Sequence, residues 1–195
     1  MILAIDQGTT GTTCLVFDEQ GQPTGRGYSE FEQHFHRPGW VEHDANEIWE
    51  VTRKVARDAL EDAGAKGEDL EGIGITNQRE TAVAWDRDSG EPLHRAIVWQ
   101  DRRTARRCDE LREQGREAIF RERTGLVLDA YFAGTKYEWL LKEGGVDASA
   151  RLGTIDSWLV YKPGSTATTA STSFPRSPGW ARHTGIPTPG APSSA

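Results

Sequence analysis

The stretch from Met1 to Asp18 constrains this chain most, because it fixes a strand, a turn and a second strand around one carboxylate. Ile2 to Ile5 is a short apolar run suited to a buried strand. Gln7 to Thr12 holds two glycines and three threonines and reads as a turn. Thr13 to Phe17 returns as a β-rich strand. Asp6 closes the first strand and faces a turn rich in backbone N–H and hydroxyl donors. That arrangement suits a metal–phosphate group: glycines admit phosphate oxygens close to the backbone, threonines donate hydrogen bonds, and the aspartate can hold Mg²⁺ directly or through water. No G-x-x-x-x-G-K-[ST] occurs, so this is not a Walker-type loop. The same residues also fit a plain hairpin whose Gly and Thr serve only turn geometry.

The totals narrow the function classes. The chain has 195 residues, enough for one good core or one and a half domains. A net charge of −7 argues against nucleic acid as the main partner. No stretch approaches the roughly 18 apolar residues of a membrane span, and no basic or apolar leader precedes the first strand. Membrane insertion and secretion are therefore not expected. The two cysteines, Cys14 and Cys108, form no disulfide framework or zinc pattern, which fits packing roles in a reducing cytoplasm.

Along the chain, Glu19 to Pro23 is a turn and Thr24 to Phe35 a third, antiparallel strand, so a meander is expected at the start of the sheet. Asp44 and Glu47 have the spacing of a capping box. They open a helix to about Ala63, with Ile48, Trp49, Val55, Ala56, Ala59, Leu60 and Ala63 on its apolar face and Gly64 as its stop. Leu70 to Thr76 and Thr81 to Asp86 read as strands, Arg87 to Gly90 as a hairpin turn, and Pro92 to Trp99 as the returning strand. Arg79-Glu80 and Trp99-Gln100 thus fall at strand ends, where α/β sheets build sites. Further on, helices are expected over Arg102 to Gln114, Ala118 to Arg123 and Tyr137 to Lys142. Leu152 to Lys162 reads as a strand leading into a helix capped by Asp156 or Ser157.

Two clusters read as structural. His34, His36 and His43 fit no usual zinc spacing. Arg102, Arg103, Arg106 and Arg107 suggest a phosphate patch, but Asp101, Asp109, Glu110 and Glu113 interleave with them, so a solvated helix face is expected. Trp40, beside the Pro38-Gly39 turn, is expected to plug an apolar surface. Residues 163–195 hold six of the nine prolines and no Asp or Glu, a composition that reads as disordered.

Seven motifs, in order, resemble the glycerol kinase family of FGGY carbohydrate kinases. They are Ile5-Asp6-Gln7-Gly8-Thr9-Thr10, Pro38 to Asp44, Gly74 to Thr81, Val98 to Thr104, Thr124-Gly125-Leu126, Tyr131 to Lys136, and Gly153 to Leu159. The resemblance covers residues 2 to 162. It implies an α/β fold of the actin-like, ribonuclease-H-like ATPase type, here an incomplete N-terminal domain over 1–162 with a mixed sheet and flanking helices, followed by the divergent tail. It further implies ATP and Mg²⁺ as cofactors, glycerol as substrate, and full-length family members that are homo-oligomers. By motif position, Asp6 would hold Mg²⁺, and Thr9, Thr10, Gly11 and Thr13 would line the nucleotide phosphates. Arg79, Glu80 and Tyr131 would hydrogen-bond the glycerol hydroxyls, with Trp99 packed on the carbon face. The residue types agree, since a polyol needs donors and acceptors together and an aromatic face suits C–H surface.

The departures from the family pattern are local at first and then large. Gly11-Thr12-Thr13 stands where Ser-Ser-Arg is usual, which removes one phosphate-directed cation. Asp129-Ala130-Tyr131-Phe132-Ala133 stands for Asp-Pro-Tyr-Phe-Ser. After Lys162 the family continuation is absent, including the aspartate that would act as general base. A frameshift or truncation near Lys162 is expected, and with it an inactive fragment with no catalytic residue of its own. The implied reaction is ATP-dependent phosphorylation of glycerol to glycerol 3-phosphate. The alternatives are another polyol or sugar kinase of the same family, or a non-catalytic polyol-binding fragment.

Overall fold

The computed structural model describes residues 1–165; the expected disordered tail lies outside the described residues from 166 onward. The N-terminal meander is present. β1 (Ile2–Gln7) pairs antiparallel with β2 (Gly11–Phe17), which pairs antiparallel with β3 (Pro23–Glu30). β4 (Gln33–His34) and β5 (Glu42–His43) follow, then α1 (Ala45–Asp62), then β6 (Gly72–Asn77), which lies parallel to β1. The remaining elements are β7 (Ala82–Trp85), β8 (Ala96–Ile97), α2 (Ala105–Glu113), α3 (Glu117–Thr124), α4 (Ala133–Lys142), β9 (Arg151–Thr154) and α5 (Ile155–Ser165).

The strands form two sheets. One is mixed and four-stranded, in the order β3-β2-β1-β6; the other is antiparallel and five-stranded, in the order β4-β5-β8-β7-β9. α1 covers one face of the first sheet. Leu3, Ile5, Cys14 and Val16 alternate inward from the strands to meet Val55, Ala56 and Ala59 of the helix. Its other end shares a core with the second sheet, where Ile48 and Trp49 join Val83, Trp85, Trp158 and Leu159. α4 closes the far side through Leu140 against Ala82, Ala84 and Ile97. Among the described residues no helix is long and apolar enough to cross a membrane.

Several boundaries differ from the sequence expectation, each for a tertiary reason. The third strand ends at Glu30, because Phe31 turns into the core and Gln33–His34 joins the other sheet; Phe35 is left 67% exposed. Asp44 caps α1, its Oδ1 accepting the N–H groups of Asn46 (2.9 Å) and Glu47 (3.3 Å). Glu47, however, accepts from the backbone of Glu32 rather than from its own cap residue (3.1 Å). The capping box is therefore half formed, with the second acid used to fix the chain just ahead of β4. Helix α4 starts at Ala133, four residues before Tyr137, because a side chain from another element caps it (below).

The arginine cluster is the main correction. Arg106 lies in solvent, yet the Arg103 side chain is only 1% exposed. Its guanidinium bonds Glu42 at 2.7 Å and Asp101 at 2.8 and 2.9 Å, and lies 3.7 Å from the centre of the Trp40 ring. Trp139 flanks it at 4.6 Å. Trp40 therefore covers a cation rather than plugging an apolar surface. Asp101 Oδ2 also accepts the Val41 N–H at 2.7 Å, so one ion cluster ties the Pro38–His43 segment to the start of α2.

Two predictions follow from this packing. A Cβ on Gly27 would lie 2.4 Å from the Val55 carbonyl, whereas one on Gly74 meets nothing within 4 Å. Gly27→Ala should therefore cost about 1–3 kcal/mol, while Gly74→Ala should stay within about 0.5 kcal/mol, both read by urea unfolding. Arg103→Met should cost about 3–5 kcal/mol, because it leaves the buried carboxylates of Glu42 and Asp101 without their cation; a loss below about 1 kcal/mol would contradict the buried cluster.

Candidate functional site

The site begins where β1 and β6 end side by side, at Gln7 and Asn77. Beyond β1 the chain turns through Gly8, whose N–H donates to the Gly11 carbonyl at 2.9 Å. Among the described residues, the backbone N–H groups of Thr9 and Thr10 donate to no backbone carbonyl and the Asp6 carboxylate has no hydrogen-bond partner. Asp6 is exposed and lies opposite Thr13 across the β1–β2 ladder. One open carboxylate beside free donors fits Mg²⁺, which is commonly held by one or two carboxylates together with water and substrate phosphates. Gly11 has a packing reason of its own: a Cβ there would lie 2.6 Å from the Ser29 carbonyl and 3.0 Å from the Tyr28 ring.

Beyond β6 the backbone does something sequence reading did not anticipate. Arg79 (φ 48) and Glu80 (φ 54) are both left-handed, and they are the described non-glycine residues at positive φ. The Arg79 carbonyl accepts the Thr81 N–H at 2.7 Å, closing a three-residue turn about Glu80. The Asn77 carboxamide accepts the Arg79 N–H. This corner sends the chain from the first sheet into the second. It leaves Arg79 exposed, its guanidinium making no side-chain hydrogen bond among the described residues.

Glu80 is anchored from α4. Its Oε2 accepts the Ala133 N–H at 2.8 Å, which is how the helix gains its early start. Lys136, one turn further, is fully buried and donates to the Glu80 carbonyl at 3.1 Å and to the Tyr131 carbonyl at 2.6 Å. Tyr131 in turn packs edge-on against Trp99, with ring centres 5.7 Å apart. The Trp99 indole N–H donates to the Thr9 hydroxyl at 2.9 Å. The structure thus brings Thr9, Trp99, Tyr131 and Glu80 into one connected wall beside Arg79.

A buried polar layer lies behind it. Gln78 donates to the Gln7 carboxamide oxygen at 3.2 Å and lies 3.4 Å from His43 Nδ1. His43 is fully buried, packs edge-on against Phe31 and has no partner at Nε2 among the described residues. His34 and His36 stack on each other instead, with ring centres 5.7 Å apart, so the three histidines do not converge. Burial, with a smaller effect from His34, lowers the pKa of His43 to about 4. Burial also pushes the Cys14 thiol up to about 12, which makes it an inert packing group. Loop residue Asp129 is held by the Tyr131 N–H (2.7 Å) and by Arg102 (2.8 Å). Burial would raise its pKa, but these contacts outweigh that and lower it.

Sequence reasoning missed Lys136, Arg103 and His43 as organisers of the site. Lys136 is a lone cation after the small residues Ala133, Gly134 and Thr135, which is the one local hint that its surroundings are tight. Nothing local marks Arg103 off from its exposed neighbours.

Comparison with known proteins bears on the family and the fold. Residues 1–177 match the N-terminal domain of the FGGY family of carbohydrate kinases. A glycerol kinase from Deinococcus radiodurans is 57% identical over 166 residues, covering 82% of this chain and 33% of that protein. One from Dechloromonas aromatica is 56% identical over 167 residues, with 83% and 33% covered. Among solved structures, Plasmodium falciparum glycerol kinase with ADP superposes with a TM-score of 0.75 at 33% identity, covering 82% of this chain and 33% of that one. Ligand-bound xylulose kinase from Lactobacillus acidophilus shares the fold, with a TM-score of 0.75 at 20% identity and 83% and 32% coverage. The chain spans about a third of the length of these relatives.

His43 makes the site's stability depend on pH. Its folded pKa lies below the ordinary value of 6.5, so the unfolded chain binds the extra proton as pH falls through that range. Stability should be fully present above about pH 6.5 and lost progressively toward about pH 4, by on the order of 2 kcal/mol at pH 5. Urea midpoints measured from pH 7 to pH 5 should show this slope, and His43→Gln should flatten it.

Proposed function

The chain belongs to the FGGY family of carbohydrate kinases, and from that premise we propose that it is the polyol-gripping and phosphate-cradling part of an ATP-dependent glycerol kinase. The observation that carries this reading is the bond between the Trp99 indole and the Thr9 hydroxyl. It joins the wall suited to a polyol directly to the turn suited to phosphate, so a hydroxyl and a phosphoryl group bound there would be neighbours.

Each residue has a role that its placement supports. Arg79 presents up to five donors to hydroxyl oxygens, Glu80 keeps Oε1 free as an acceptor, and the Tyr131 hydroxyl can serve as either. The Trp99 face would pack against the carbon chain. Thr9, Thr10, Gly11 and Thr13 would line the phosphates, with Gly11 admitting close backbone approach between the turn and β3. Asp6 would hold Mg²⁺, which when bound supplies neutralisation of the phosphate charge during in-line transfer. A cytoplasmic setting suits such a substrate and cofactor pair.

Glycerol is favoured over other polyols because the curated relatives at 56–57% identity are named glycerol kinases. The domain division at Lys162 remains part of the proposal. So does the inactivity of the isolated chain, because the family's general-base aspartate is not among the residues that the motifs match. In-line phosphoryl transfer draws on a general base and a closed cleft as well as on positioning.

Calorimetry on the purified 195-residue chain should detect glycerol binding that Arg79→Ala weakens by at least about tenfold, with xylulose binding more weakly than glycerol. Coupled measurement of ADP formation with Mg²⁺-ATP should show no glycerol-dependent turnover. Turnover that disappears in Arg79→Ala would show that the chain is catalytically sufficient. Glycerol binding unaffected by Arg79→Ala would remove the grip from this site.

A further inference from the structure

We propose that Lys136 is a positioning residue for polyol recognition, an ammonium pin that holds the Glu80 corner against the Tyr131 loop and so sets the spacing of the grip. The proposal rests on the polyol reading above. Its basis is geometric. Glu80 and Tyr131 come from separate segments, one after β6 and the other ahead of α4. Lys136 Nζ reaches the carbonyl of each, at 3.1 and 2.6 Å. Ala133 and Lys136 are three residues apart on one face of α4. The first turn of that helix therefore holds Glu80 twice, by its carboxylate through the Ala133 N–H and by its carbonyl through Lys136.

The pairing is selective. Lys136 takes two backbone carbonyls and leaves the Glu80 carboxylate to Ala133, so Glu80 Oε1 stays available to a ligand. A fully buried ammonium is costly unless it is hydrogen-bonded, and an apolar residue of similar length would fill the same space without that cost. What an apolar residue could not do is bond the carbonyl of a left-handed residue to that of a loop. The ionisable groups facing Lys136 are Glu80 on the corner, Asp101 ahead of α2, Asp129 in the loop and Cys108 on α2. Burial outweighs these and lowers the Lys136 pKa to about 8. The pin is therefore charged at neutral pH and discharges as pH rises through about 8.

The test compares the full chain with Lys136→Met, using two readouts. The first is ligand-free hydrogen exchange at the Ala133 amide, which Glu80 holds. It should quicken by about tenfold or more in the variant, while amides of the β1–β2 ladder keep their protection. The second is calorimetric glycerol affinity from pH 7 to pH 9.5. The wild-type affinity should fall by about tenfold over this range, and the variant should be weaker by about tenfold at pH 7 and insensitive to pH. A purely structural loss would weaken binding without removing the pH dependence. Should Lys136→Met fail to fold by circular dichroism, the wild-type pH profile decides, and a flat profile overturns the proposal. The two failures are distinguishable: a wild-type chain that binds no glycerol overturns the polyol reading and the recognition role with it. A wild-type chain that binds glycerol, matched by a variant with the same affinity and the same Ala133 protection, overturns the pin alone.

Discussion

Two adjacent side-chain-bearing residues in left-handed backbone, Arg79 and Glu80, are the constraint around which the rest of the described structure is arranged. Such residues cost on the order of 1–3 kcal/mol each and persist only where their surroundings over-determine them. Here the surroundings do so. The Asn77 side chain holds the corner before it, the Thr81 N–H closes it, and α4 clamps it through Ala133 and Lys136. The corner is also what divides the molecule into two sheets. β6 runs parallel to β1, and a few residues later β7 has left for an antiparallel sheet with β8 and β9.

That geometry links the two halves of the proposed site. From the corner, contacts run in two directions toward the turn proposed to hold phosphate. One passes through Tyr131 and Trp99 to Thr9. The other passes through Gln78 to Gln7, backed by the neutral, buried His43. Both routes are made of packed or hydrogen-bonded groups, the kind of support that positioning two reactants would need. The Arg103 cluster does the same for the frame, fixing the segment that carries His43 against the segment that carries Trp99.

The strongly patterned parts of the fold were legible in the sequence. The meander, the capped helix from Asp44, the β6 strand and the order of the final strand–helix unit follow from local alternation and turn residues, although that last helix begins at Ile155, ahead of the expected caps Asp156 and Ser157. The roles proposed for the site residues came mainly from resemblance to a family; residue chemistry alone pointed to Asp6 and the Gly/Thr turn, and spacing placed Arg79-Glu80 and Trp99-Gln100 at strand ends and no further. What sequence could not give were features made by distant partners. Helix α4 starts early because Glu80, 53 residues away, accepts its first N–H. Arg103 is buried while Arg106 is exposed, because only the former meets Glu42, Asp101 and Trp40. Lys136 and His43 are polar residues that local patterning does not mark as buried, and tertiary packing encloses both.

The central claim is that a polyol sits between Arg79, Glu80, Trp99 and Tyr131, next to the phosphate turn. Magnetisation transfer between isotopically labelled glycerol and the aromatic rings of the labelled chain tests it most directly. The account predicts nuclear Overhauser contacts from glycerol C–H protons to the rings of both Trp99 and Tyr131, lost in Arg79→Ala. Contacts confined to other aromatic residues, with these two rings silent, would contradict it.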